Sequence, residues 1–140
     1  MGSFLSLTEF FKIRLGAPLA STRQSWGAYK SDQSAVYLAI WQDEIKRVDG
    51  ITWVDVLGWE EIGSTFGREE RIKHLESIKA EMPAFALVKV AKDIDAKPRE
   101  MKEFNSDYVI AIKNNFRQTD TGMMFKQALI GHIFYLFYPI

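Results

Sequence analysis

Apolar residues run almost unbroken from Val36 to Trp41, between the polar turn Ser31-Asp32-Gln33-Ser34 and the polar group Gln42-Asp43-Glu44. A short apolar run bounded by turn residues predicts a central strand buried on both faces. The stretch before the turn, from Arg23 to Lys30, predicts the other strand of a hairpin. Within it Trp26 and Tyr29 bracket Gly27-Ala28, and small residues there let a flat ligand or another backbone come close.

The pattern elsewhere alternates between helical and extended periods. Ser6 and Glu9 form a capping box, with Leu5 placed to staple Phe10. Leu7, Phe10, Phe11 and Leu15 share one face, and Gly16 with Pro18 ends this first helix. Residues 44–50 read as a polar connection closing on the turn pair Asp49-Gly50, and residues 51–57 as a third strand. A second helix is predicted over 67–82, with Gly67 as its cap, Glu69 and Glu70 near its positive end and Pro83 barring its continuation. Ile72, Leu75, Ile78 and Met82 form its apolar face, and the opposite face is charged and solvated. Residues 84–90 and 108–113 read as strands, residues 101–104 as a brief pairing, and Asn114-Asn115 as a turn. Residues 116–127 are polar at first and turn apolar after Gly122, and the apolar tail over 128–140 is too short for a membrane helix, which needs about 20 apolar residues, and reads as a buried terminal strand or a short helix.

Strands that follow one another, with helices set apart from them, predict an α+β domain built on a small curled antiparallel or mixed β-barrel, with two amphipathic helices packed on it. A chain of 140 residues, 47% of them hydrophobic, fits one domain with a real core. The absence of cysteine excludes a disulfide framework, thiol catalysis and thiolate metal sites, and suits a cytoplasmic protein. The first residues lack the charged leader and apolar core of a signal peptide. Eighteen basic residues balance eighteen acidic ones, so any attraction for nucleic acid must come from a local patch.

A base taken out of its stack needs π-faces around it and hydrogen-bonding groups at its edge. Trp26, Trp41, Trp59 and Asp43 are the residue types for that task. Arg23 and Lys30 flank the first strand, and Lys113, Asn115 and Arg117 cluster late in the chain; these are candidates for phosphate contacts. The same tryptophans also suit a core, where most tryptophans are found.

The segment Ser25-Trp26-Gly27-Ala28, the strand Val36-Tyr37-Leu38-Ala39-Ile40 and the helix over 68–82 together resemble the PUA-like superfamily, above all its YTH and EVE branches. The resemblance implies a barrel that holds a modified base of DNA or RNA in an aromatic pocket without acting on it, in a bacterial restriction or defence setting. It implies Trp26 as the stacking residue, Ser25 and Gly27 as backbone partners of the base edge, and Trp59 as a second wall, with Trp41 or Trp53 as its replacement. No cofactor, no metal and no membrane partner are expected.

Two other readings remain open. A protein partner could meet an acidic surface made of Asp55, Glu60, Glu61, Glu69, Glu70, Glu76 and Glu81, as in an immunity or inhibitor module. A metal-dependent nuclease could be assembled from Asp55, Glu60 or Glu61 and Lys89. His74 is placed on the charged side of the second helix beside Glu70, and His132 lies in the apolar tail. The chain has no His-x-x-x-His, no Gly-x-Ser-x-Gly and no phosphate-binding glycine fingerprint.

Overall fold

The computed structural model describes residues 5–22, 24–48, 50–56, 65–96, 99–118, 125–129 and 137–139. Its elements are helix α1 (Leu7–Ile13), strands β1 (Gly27–Tyr29), β2 (Val36–Trp41), β3 (Ile45–Val48) and β4 (Ile51–Asp55), helix α2 (Thr65–Lys79), and strands β5 (Ala84–Ala91), β6 (Met101–Phe104), β7 (Tyr108–Gln118), β8 (Phe125–Leu129) and β9 (Phe137–Pro139). A 3-10 turn over Gln42–Glu44 joins β2 to β3.

All the strands belong to one mixed sheet in the order β1-β2-β5-β7-β8-β4-β3, with β6 beside β5 and β9 beside β7. The β2–β5 pair is parallel, and every other pair is antiparallel. The α+β class follows. The sheet is curled, and among the described residues no pairing joins its edge strands β1 and β3.

Alternation along β2 sorts its side chains onto two faces. Val36, Leu38 and Ile40 pack with Leu75 and Ile78 of α2, whereas Ala39, with Tyr37 against it, packs with Phe10 and Phe11 of α1. Each helix therefore covers one face of the sheet, and β2 is buried from both sides as its apolar run demands. The α1 capping box forms as read, with the Ser6 hydroxyl accepting from the Glu9 amide at 3.2 Å and the Glu9 carboxylate accepting from the Ser6 amide at 3.0 Å.

Three local expectations change. The polar connection over 44–50 contains β3, which pairs with β4 in a hairpin. The turn expected at Asn114-Asn115 lies inside β7, whose pairing with β8 shifts register between Ile112 and Phe116. Such a shift absorbs extra residues without breaking the strand. The second helix begins at Thr65, so Gly67 is a residue of its first turn instead of its cap. It ends at Lys79 with the Met82 amide bonded to the Ser77 carbonyl at 3.0 Å and Glu81 left-handed at φ 74°, a Schellman-type stop reinforced by Pro83. Of the tail, residues 128–129 end β8 and residues 137–139 form β9, while residues 130–136, including His132, fall outside the described residues.

Candidate functional site

Edge strand β1 and the N-terminal half of α2 bound a cleft of about 350 Å³. Ala28 and Tyr29 supply its sheet side, Phe66, Glu69, Glu70, Lys73 and His74 its helix side, and Pro18 and Ala20 close it from the segment after α1. That segment is pinned by the hairpin turn: the Ser31 amide and hydroxyl both donate to the Gly16 carbonyl, at 2.9 and 3.2 Å, with Gly16 at φ 66°.

Beneath the cleft α2 buries charge. Arg71 is 4% exposed and its guanidinium donates to the carbonyls of Val56, Trp26 (2.9 Å) and Ala39 (3.0 Å). It also lies 5.7 Å from the centre of the Trp26 ring. One planar fork thus ties the approach to β1, strand β2 and the end of β4 to a single helical position, a task suited to the multiple donors of arginine.

His74, one turn along, is 1% exposed and meets Tyr29 edge to face at 4.7 Å. Burial, reinforced by the Arg71 charge, lowers its pKa to about 3, so the imidazole is neutral at physiological pH. Its Nδ1 is buried with no partner among the described residues. The Tyr29 hydroxyl shares a 2.8 Å hydrogen bond with the Ser77 hydroxyl and donates to the Lys73 carbonyl at 3.3 Å, which fixes the ring.

Glu70 is half-buried. Its Oε2 accepts from the Ser25 hydroxyl at 3.2 Å, while its Oε1 is buried without a partner among the described residues. Burial raises its pKa, opposed by the Ser25 hydrogen bond, the Arg71 charge and the Trp26 amide. The expectation that His74 sits on a solvated face is corrected here. The stripe of α2 that meets the sheet includes 71, 74, 75 and 78, so it carries Arg71 and His74 along with Leu75 and Ile78.

The residues singled out from the sequence do not gather at one point. Ser25 reaches the cleft through Glu70. Trp26 is half-buried against the α2-side core, with Gly67 packed directly on its indole. Gly27 does permit a close approach, but of backbone: a Cβ there would collide with the Tyr37 carbonyl. Trp53 is buried, at 7% exposure.

Trp41 lies on the opposite face of the sheet from Trp26, since alternation places it with Tyr37 and Ala39. It carries the Lys89 ammonium 3.9 Å from its ring centre and the Arg99 guanidinium at 5.5 Å. Arg99 in turn donates twice to Asp43, both at 2.7 Å, and this hydrogen-bonded pairing is the main cause of a lowered Asp43 pKa.

Lys30 is exposed and directly follows Tyr29. Lys113, Asn115 and Arg117 lie on β7, their side chains outside the described residues, as are Arg23, Trp59, Glu60 and Glu61 altogether and the side chain of Asp55. Glu69, Glu76 and Glu81 are exposed, interleaved with exposed Lys73 and Lys79. Among the described residues no group of three or more His, Asp or Glu is placed to hold a metal ion, and no helix is long and apolar enough to cross a membrane. No family model matches the chain, and neither a curated protein nor a solved structure matches it.

Proposed function

We propose that this chain binds one base of a nucleic acid, in modified form, in the cleft between β1 and α2, and that it does so as a PUA-like domain without chemistry on the base. The observation that carries this reading is a cleft that sets the half-buried Glu70 carboxylate beside the ring of Tyr29. A flipped base needs that combination of π-surface and edge acceptor. The cleft volume of about 350 Å³ is at the low end for ligand pockets and suits one small planar group. Phe66, 39% exposed at the cleft, adds a further aromatic surface, and Lys73 and Lys30 are exposed nearby for phosphate contacts. A curled mixed sheet with a helix inserted between β4 and β5 supports the PUA-like part of the reading.

The test is a fluorescence-anisotropy panel of short oligonucleotides, single- and double-stranded, with and without methylated or hydroxymethylated bases. Saturable binding that favours a modified strand is expected. Tyr29→Ala should weaken it by about ten- to a hundredfold, the contribution of one stacked base. Absence of binding across the panel would overturn the proposal.

A further inference from the structure

We infer that the main chain of Tyr29 holds the pairing edge of the bound base, so that the cleft admits bases modified away from that edge and rejects those modified on it. The inference rests on the base-binding reading above and names the class of modified base for the same cleft.

In an antiparallel pair, successive residues alternate between bonding the partner strand with both backbone groups and turning both outward. The Trp26 carbonyl accepts from the Ala39 amide, and the Lys30 amide donates to the Ala35 carbonyl, both at 2.8 Å. Gly27 stands opposite Leu38, Ala28 opposite Tyr37 and Tyr29 opposite Val36. Positions 26, 28 and 30 therefore face β2, and Gly27 and Tyr29 turn N–H and C=O to the open edge. Gly27 is buried, whereas Tyr29 is half-buried and lines the cleft. Among the described residues Tyr29 makes its bonds outside the sheet through its hydroxyl alone, which leaves its outward N–H and C=O unbonded.

The cleft lies where those groups point. Ala28 packs toward α1 and Tyr29 toward α2, on opposite faces of the sheet, yet both line it, with Pro18 and Ala20 across from them. A void lined by consecutive strand residues of opposite faces sits against the edge of the strand. The segment across the edge is fastened at both ends, where the Ser31 amide donates to the Gly16 carbonyl at 2.9 Å and the Ser25 amide to the Ser21 carbonyl at 3.1 Å. An added peptide strand would have to run past both fastenings, so the slot takes a compact group.

One backbone donor beside one backbone acceptor complements a ligand edge with an acceptor beside a donor. The pairing edge of every base has that pattern: an amino group next to a ring nitrogen in adenine and cytosine, a ring N–H next to a carbonyl in guanine and thymine. A substituent on carbon 5 of a pyrimidine lies off this edge. Full methylation of the donor nitrogen removes the N–H and keeps the ring neutral.

The experiment measures anisotropy on the native chain with labelled oligo-dT and its 3-methylthymine form, oligo-dC with its 5-methyl and N4,N4-dimethyl forms, and oligo-dA with its N6,N6-dimethyl form. Amide hydrogen exchange is followed by NMR on the same protein. In the free chain the Tyr29 amide should exchange about tenfold or more faster than its neighbours Ala28 and Lys30. A bound strand should slow the Tyr29 amide by about tenfold or more. Methylating the donor nitrogen of the bound base should weaken binding by about tenfold or more, the loss of a good edge contact, while oligo-dC and its 5-methyl form both bind. A Tyr29 amide protected in the free chain, one that stays fast with a strand bound, or a donor-methylated strand that binds as well as its parent would overturn the inference while leaving base binding intact. No binding of any strand would overturn both.

Discussion

Gly67 packs directly against Trp26: a Cβ built at position 67 would collide with the indole Nε1 and Cε2 and with the Gln24 carbonyl. Glycine in a helix usually costs up to about 1 kcal/mol relative to alanine. Here the missing methyl is what lets α2 seat on the segment leading into β1. Gly67→Ala should therefore destabilise the protein by about 1–3 kcal/mol, the range for overpacking, where an ordinary helical site would gain. Chemical denaturation of the two proteins checks the sign.

Arg71 joins Val56, Trp26 and Ala39 through their carbonyls while almost fully buried. Removing the guanidinium takes a donor from all three, with Trp26 keeping the Ala39 amide, and costs about 1–3 kcal/mol for each carbonyl left without a partner. Arg71→Met should be among the most damaging changes in α2. Arg71→Lys keeps the charge but not the fork, and should recover only part of the loss in unfolding midpoint.

Arg71 and His74, the buried polar residues of α2, mark where sequence reading stopped. The apolar run of β2, the Ser6–Glu9 box and the α2 residues Leu75 and Ile78 announce themselves, because hydrophobic period and capping chemistry are local signals. Arg71 and His74 look like members of a solvated face, since only their partners, three carbonyls and Tyr29, make burial tolerable, and those partners lie on distant segments. The spacing 71, 74, 75, 78 was the available signal. Likewise β3 is masked by the charges of Lys46 and Arg47, which an edge strand tolerates and a central one does not. Tryptophan content pointed toward aromatic surfaces but could not tell the two faces of the sheet apart, and Trp26 and Trp41 occupy one each.

His74 gives stability a pH dependence of definite sign. Its pKa falls from an ordinary 6.5 to about 3 in the folded chain, so the native state resists a proton that the unfolded chain accepts. Its stabilising contribution is whole above about pH 6.5 and is lost as pH falls toward 3, at up to about 1.4 kcal/mol per pH unit. Glu70, with a raised pKa, works in the opposite direction as pH falls through its folded value. His74→Phe, which keeps a ring against Tyr29, should flatten the acid limb of the stability profile. An unchanged slope would remove His74 as its source.

Asp43 and Arg99 make a partly exposed bidentate pair beside Trp41, with side-chain exposures of 34% and 25%. The lowered Asp43 pKa means that its contribution is present above the ordinary aspartate value of 3.8 and is lost as pH falls through the lower folded value. Solvent screening holds the coupling to about 1 kcal/mol or less. A double-mutant cycle of Asp43→Asn with Arg99→Gln should return a coupling of that size that shrinks in high salt.

Trp26 separates a supporting role from a stacking one. It is half-buried against the core formed with α2, its carbonyl accepts from Arg71 at 2.9 Å and from the Ala39 amide at 2.8 Å, and Gly67 covers its indole. The carbonyl contacts survive substitution, but the ring packing does not. Trp26→Ala should therefore cost about 3–5 kcal/mol of stability, as truncation of a core aromatic does, and loosen the seat of Glu70 and Arg71. Tyr29→Ala should reduce oligonucleotide affinity to a greater extent than it reduces stability relative to Trp26→Ala, because its ring lines the cleft. Unfolding and anisotropy measured on both variants resolve the assignment. A Trp26→Ala protein that stays stable but no longer binds would move the stacking surface from Tyr29 to the indole.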